Sequence, residues 1–143
     1  MKKIAVINGP NLDRLGKREP EIYGRATLED LETMLRAEAR RLGVSLTCFQ
    51  SNHEGALIDK LAELADRAFA GIIINPGGLA HTSIALRDAL AGTGIPTIEV
   101  HITDIRKRER FRRTSMTAGV CIAMICGRGL PGYALALRRL AKL

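Results

Sequence analysis

Glu99 and His101 stand two residues apart in the segment Thr97-Ile-Glu-Val-His101. Successive side chains of a strand leave on opposite faces, so a strand here puts both on one face, where the carboxylate can orient the imidazole as an acid–base pair. A strand-end histidine satisfied by a nearby carboxylate is the plainer alternative. Tyr23 offers a second kind of proton chemistry. A free phenol is only about 0.1% ionised at neutral pH and is usually inert. A guanidinium from Arg18 or a neighbouring arginine that favoured the phenolate by roughly 2.7 kcal/mol would make it a usable base. His81, just ahead of Thr82 and Ser83, is either a helix-cap neighbour or a crevice residue. The basic run Arg106, Lys107, Arg108, Arg110, Arg112 and Arg113 follows the His101 segment. It reads as a solvated helix face, or as a helix beginning near Thr103 or Asp104 whose free N–H groups and inward arginines capture a carboxylate.

Other chemistries lack their residues. The segment Asn8-Gly-Pro-Asn11 has no run of Ser or Thr to cradle a flavin phosphate, and neither a Walker A loop nor a Gly-x-Gly-x-x-Gly fingerprint occurs. His53, His81 and His101 are far apart, without a ligand spacing such as His-Glu-x-x-His, so no metal is expected. No lysine lies at an expected strand end, which disfavours Schiff-base catalysis. The expectation is a site that works without cofactor.

The elements that must position these groups follow from an alternation of short β-branched runs with segments of helical period. Strands are expected at Ile4 to Ile7, Val44 to Phe49, Ile72 to Ile74, Thr97 to Val100 and Val120 to Ile125. Thr27 is the N-cap of a helix with Asp30 three residues on and Leu28, Leu31, Leu35 and Leu42 on one face, ending at Gly43. Leu57, Ile58, Leu61, Leu64 and Ala65 stripe a second helix, Ser83 to Leu90 forms a short third, and Tyr133 to Leu140 closes the chain. Continuous apolar strands joined by helices require a parallel sheet covered on both faces, which predicts a flavodoxin-like, doubly wound five-stranded α/β domain spanning 1–143. Such sheets bind ligands beyond the carboxyl ends of their strands. The residues there are polar: Asn8 to Asn11, Gln50 to Glu54, and Asn75 to Gly78. The segment from about 14 to 25 is long and polar, as a lid would be.

Composition sets the frame. The chain has 143 residues, 46% apolar, enough for one core and too few for two domains. No apolar run approaches the roughly 20 residues of a spanning helix. Lys2 and Lys3 precede an apolar stretch too short for a secretory signal, so a cytoplasmic setting is expected. Three cysteines, Cys48, Cys121 and Cys126, read as reduced core residues. Twenty-two basic residues against 15 acidic ones, net +7, suit an anionic partner. Aromatics make up only 3%, with no Trp, too few stacking platforms for single-stranded nucleic acid, so a small acid is the expected ligand. A non-catalytic small-acid binding module of the same fold is the alternative to an enzyme, and an RNA-associated protein the third reading.

The motifs taken together resemble a known family. Asn8-Gly-Pro-Asn-Leu12, Arg18-Glu-Pro-Glu-Ile-Tyr-Gly24, Gln50-Ser-Asn-His-Glu-Gly55, Asn75-Pro-Gly77, His81-Thr-Ser83, Leu86-Arg-Asp88 and Glu99-Val-His101 stand in the order and spacing of type II 3-dehydroquinate dehydratases. That resemblance implies a cofactor-free lyase converting 3-dehydroquinate to 3-dehydroshikimate and water, in the shikimate route or in quinate breakdown. It implies Tyr23 as the base that removes a C2 proton, Arg18 as its cationic partner, and Asn11 as the group stabilising the resulting enolate through a water. His101, oriented by Glu99, would protonate the departing hydroxyl. Asn75, His81 and Arg112 would bind ring hydroxyls, and the N–H groups of Ile102 and Thr103 the carboxylate. Asp88 would reach a neighbouring subunit's site, within trimers assembled into a homododecamer.

This chain departs from the family pattern in one region. Asp104 stands where Asn is usual, and its charge should weaken anion binding unless it caps a helix or pairs with Arg106. Thr114, Met116 and Gly119 replace residues more often His, an aromatic and Pro, and Gly119 is expected to loosen the start of the fifth strand.

Overall fold

Five short strands form one sheet in the computed structural model, which describes residues 1–143. The strands are β1 (Lys3–Asn8), β2 (Ser45–Gln50), β3 (Gly71–Asn75), β4 (Thr97–His101) and β5 (Ala123–Cys126). All neighbouring pairs are parallel and the order is β2-β1-β3-β4-β5, the flavodoxin-like arrangement. Between them run α1 (Pro20–Tyr23), α2 (Leu28–Leu42), α3 (Glu54–Asp66), α4 (Ile84–Thr93) and, at the end, α5 (Pro131–Ala141).

Strand alternation divides the core into two layers. Ile4, Val6, Ile73, Ile98 and Val100 pack against Leu31 and Leu35 of α2 and against Tyr133, Leu137 and Leu140 of α5. Ala5, Ile7, Ile72 and Ile74 face Leu57, Leu61 and Leu64 of α3 and Leu86 and Leu90 of α4. The helix starts follow local chemistry. Thr27 Oγ1 accepts from the Asp30 N–H and Asp30 Oδ2 accepts from the Thr27 N–H, a reciprocal cap that satisfies two free donors of α2. Ser83 Oγ accepts from the Leu86 N–H at the start of α4.

Five expectations are corrected. The basic run does not form an α-helix: Ile105–Lys107 and Arg110–Arg112 are isolated 3-10 turns. Only Ile105 is buried there, so no apolar stripe holds a longer helix to the core. The fifth strand begins at Ala123, because Ala118–Val120 is another 3-10 turn. The edge strands β2 and β5 are half-buried rather than covered on both faces, and all three cysteines are free and only partly buried. Burial still pushes the thiols of Cys48 and Cys121 up to about 11 and about 12, which keeps them protonated and unreactive. Gly119 does not loosen a strand; a Cβ there would lie 2.8 Å from Nη1 of Arg87, so glycine leaves room for the guanidinium that donates to the Met116 carbonyl.

Candidate active site

The carboxyl ends of β1, β3 and β4, together with the segments on either side of α1 and the basic turns, enclose a cleft of about 170 Å³. Pockets for drug-sized molecules run roughly 300–1,000 Å³, so this one suits a single small ring.

β4 supplies the acid–base pair. Glu99 and His101 alternate with Ile98 and Val100, and the same phase that buries those two apolar residues against α5 turns Glu99 and His101 to the opposite face. His101 Nε2 lies 2.7 Å from Glu99 Oε2. Glu99 is fully buried and also accepts from Ser115 Oγ at 2.6 Å and from Thr117 Oγ1. Burial alone would raise its carboxyl, but the bonds from His101, Ser115 and Thr117 together hold it below the ordinary carboxylate range. An ionised carboxylate only accepts, so His101 Nε2 carries the proton and Nδ1 is the nitrogen left to act. Neutral His101 presents a lone pair there; the imidazolium, which Glu99 stabilises, donates.

The phenol is braced from two sides. Arg108 Nη1 donates to Tyr23 Oη at 2.7 Å, with its Cζ 5.4 Å from the ring centroid, and Arg18 Cζ sits 4.9 Å from that centroid. Arg18 therefore lies over the ring, while the bond to the oxygen comes from Arg108. Sequence reasoning named the basic run but did not separate Arg108 from its neighbours, and it missed Ser115 and Thr117 altogether. The one sequence signal for those two was a pair of hydroxyl residues shortly before the fifth strand.

The remaining expected residues gather around the same cleft, with one exception. Asn11 adopts the left-handed conformation at φ 72°, which Asn tolerates, and its N–H donates to Asn52 Oδ1 at 2.9 Å. Asn75, at the end of β3, accepts from the Gly77 N–H and donates to Tyr133 Oη. His81 Nδ1 is 2.8 Å from the Thr114 carbonyl, an oxygen that only accepts, so neutral His81 carries its proton on Nδ1 and offers Nε2 as an acceptor. Its ring stacks with that of His101, centroids 6.2 Å apart. Arg112 lines the cleft and is held by Glu109 at 2.7 Å. Ile102 and Thr103 also line it, and their backbone N–H groups find no backbone acceptor in the chain. These donors come from the end of β4 rather than from a helix terminus. Asp88, on α4, lies outside this cleft.

The charge balance of the cleft is cationic. Arg18, Arg108 and Arg112 line it, and no Asp or Glu does. Asp104, the added acid, is neutralised in both expected ways. Its Oδ1 accepts from Arg106 N and Nε at 3.1 and 2.9 Å, its Oδ2 from Nη2 at 3.1 Å, and this pairing holds its carboxyl down to about 2. No group of three His, Cys, Asp or Glu is placed to hold a metal ion, and no helix is long and apolar enough to cross a membrane.

A doubly wound α/β sheet carrying, at its carboxyl edge, a phenol braced by guanidinium groups and an imidazole backed by a carboxylate defines an acid–base site for a small anion. The chain belongs to the class II dehydroquinases, whose family model matches residues 2–141. It is 58% identical over 137 residues to the 3-dehydroquinate dehydratase of Bacillus cytotoxicus, covering 96% of this chain and 93% of that protein. Among solved structures, the type II dehydroquinase of Butyrivibrio crossotus superposes with a TM-score of 0.96 at 48% identity over 97% of each chain. That of Propionibacterium acnes gives 0.97 at 42% identity, covering 100% of this chain and 98% of the other.

Proposed function

We propose that this chain dehydrates 3-dehydroquinate to 3-dehydroshikimate, a step of the shikimate pathway, through an enolate. The observation that carries the reading is the Tyr23 phenol, bonded by Arg108 and overlain by Arg18, in one cleft with the Glu99–His101 pair. Tyr23, as phenolate, takes the C2 proton beside the ketone, and the arginines offset the charge that it loses and regains. The enolate oxygen is met by a water held by Asn11, a donor aimed where charge develops. His101 gives the proton on Nδ1 to the departing hydroxyl, and Glu99 stabilises the imidazolium until it does. Asn75, His81 and Arg112 hold the ring hydroxyls. The carboxylate sits on the Ile102 and Thr103 N–H groups, whose freedom from backbone acceptors supports that role.

Residues 14–25 act as a lid that brings Arg18 and Tyr23 onto bound substrate. Asp88 completes the site of a second copy, within trimers assembled into a homododecamer. The exposure of Ile84 on α4, at 58%, and of Phe111 beside the His81 end of the cleft, at 67%, supports a face covered by another copy. Three free, partly buried thiols are in keeping with a cytoplasmic setting.

Purified protein mixed with 3-dehydroquinate should generate the absorbance of a conjugated enone, unaffected by chelator or borohydride. No absorbance change at any pH between 6 and 9 would refute the reading.

A further inference from the structure

Beneath the cleft, Asn75 belongs to a buried polar chain whose other members, Asn8 and Tyr133, the reaction as described does not use. Asn8 and Asn75 are register partners at the ends of β1 and β3, in the strand phase that faces α5. There the Tyr133 hydroxyl lies between them, 2.7 Å from Asn8 Oδ1 and 2.9 Å from Asn75 Nδ2. Tyr133 and Asn8 are fully buried and Asn75 nearly so.

The direction of this chain is fixed at one end by the backbone. The Gly77 N–H donates to Asn75 Oδ1 at 3.1 Å, and a backbone amide can only donate. Only glycine fits at this position: its φ is +60°, and a Cβ there would lie 2.8 Å from the Pro10 carbonyl oxygen. Asn75 must therefore turn Oδ1 to Gly77 and Nδ2 to Tyr133. The Tyr133 oxygen then accepts, and its proton must go to Asn8 Oδ1. Reversing either amide would set donor against donor. Asn8 Nδ2 is meanwhile buried with no acceptor, which costs stability, so Asn8 stands there for its oxygen alone. Asn75 is left with one N–H of Nδ2 and one lone pair of Oδ1 for the cleft that it lines.

We propose that Tyr133, with Asn8 behind it, is a positioning residue that sets which atoms Asn75 offers to the substrate. This rests on the reading of Asn75 as a substrate-binding residue. Losing the relay frees the Asn75 amide to rotate, so binding suffers more than chemistry. The test is a double-mutant cycle on KM and kcat for 3-dehydroquinate with Tyr133→Phe and Asn75→Ala. Tyr133→Phe should raise KM roughly five- to tenfold, the worth of one neutral hydrogen bond, with kcat within about twofold. In the Asn75→Ala background it should raise KM no further. Asn8→Leu, similar in size, should reproduce the KM effect and stands in if Tyr133→Phe folds poorly. Wild-type KM in Tyr133→Phe or Asn8→Leu, or a full additional rise on Asn75→Ala, would overturn the relay alone. An Asn75→Ala variant of unchanged KM would overturn the reading of Asn75 and the relay with it.

Discussion

Replacing Arg108 by Met keeps the stem length and removes the guanidinium that touches the Tyr23 oxygen. The bond is 2.7 Å long and the Arg108 side chain is only 16% exposed, so solvent screens it weakly. A hydrogen bond to a charged group under such shielding is worth about 1.5–3 kcal/mol. The phenolate that takes the C2 proton loses that amount, whereas the Ile102 and Thr103 donors and Arg112 are untouched. kcat should therefore fall roughly 10- to 150-fold with KM within about threefold. Proton removal becomes slower than the later steps, so substrate deuterated at C2 should show a larger isotope effect in the variant than in the wild type. Stopped-flow turnover followed by enone absorbance measures all three. Unchanged kcat in Arg108→Met would show that the contact plays no part in the chemistry.

Three further outcomes follow from the same contacts. Glu99→Gln removes the partner of the His101 imidazolium and should lower kcat by roughly a hundredfold; it should also change acid stability. The folded Glu99 carboxyl lies below its unfolded value of about 4.3, so its contribution is present above that pH and is lost as pH falls through the folded value. Urea midpoints between pH 3 and 7 should accordingly drop less steeply toward acid in the variant, and parallel curves would refute the assignment. Arg106→Ala leaves the Asp104 charge unpaired near the anion site and should raise KM roughly two- to fivefold at low salt, an effect that added salt reduces; Asp104→Asn should abolish the difference. Thr27→Ala breaks the cap of α2 and should cost about 1 kcal/mol, about 2–4 °C in Tm, with turnover at 25 °C unchanged.

The strand–helix alternation was legible because β1 and β3 are buried on both faces and read as apolar runs such as Gly71-Ile-Ile-Ile-Asn75, while β4 sets Ile98 and Val100 in alternation with Glu99 and His101. β2 and β5 carry similar residues, and their place at the edges depends on the strand order, which no local pattern contains. Placing ligands at the carboxyl ends of a parallel sheet brought the loops holding Asn11, Asn75 and His101 to attention. The Glu99–His101 bond could be anticipated because both residues lie on one strand. Ser115 and Thr117 could not, since they reach Glu99 across 16 and 18 residues of irregular chain. Arg108 is hidden for another reason. Six basic residues of one charge are alike in sequence, and only the turn at Ile105–Lys107 decides which of them faces the phenol. That same run misled the reading toward a helix, because helix formers without an apolar stripe have nothing to pack against.

Comparison of substrate binding and turnover in Tyr23→Phe addresses the central proton transfer most directly. Calorimetric titration should give a dissociation constant for 3-dehydroquinate within about fivefold of wild type, while turnover falls by roughly a thousandfold, the worth of a general base. Turnover within about tenfold of wild type would contradict the assignment of the phenol as the base.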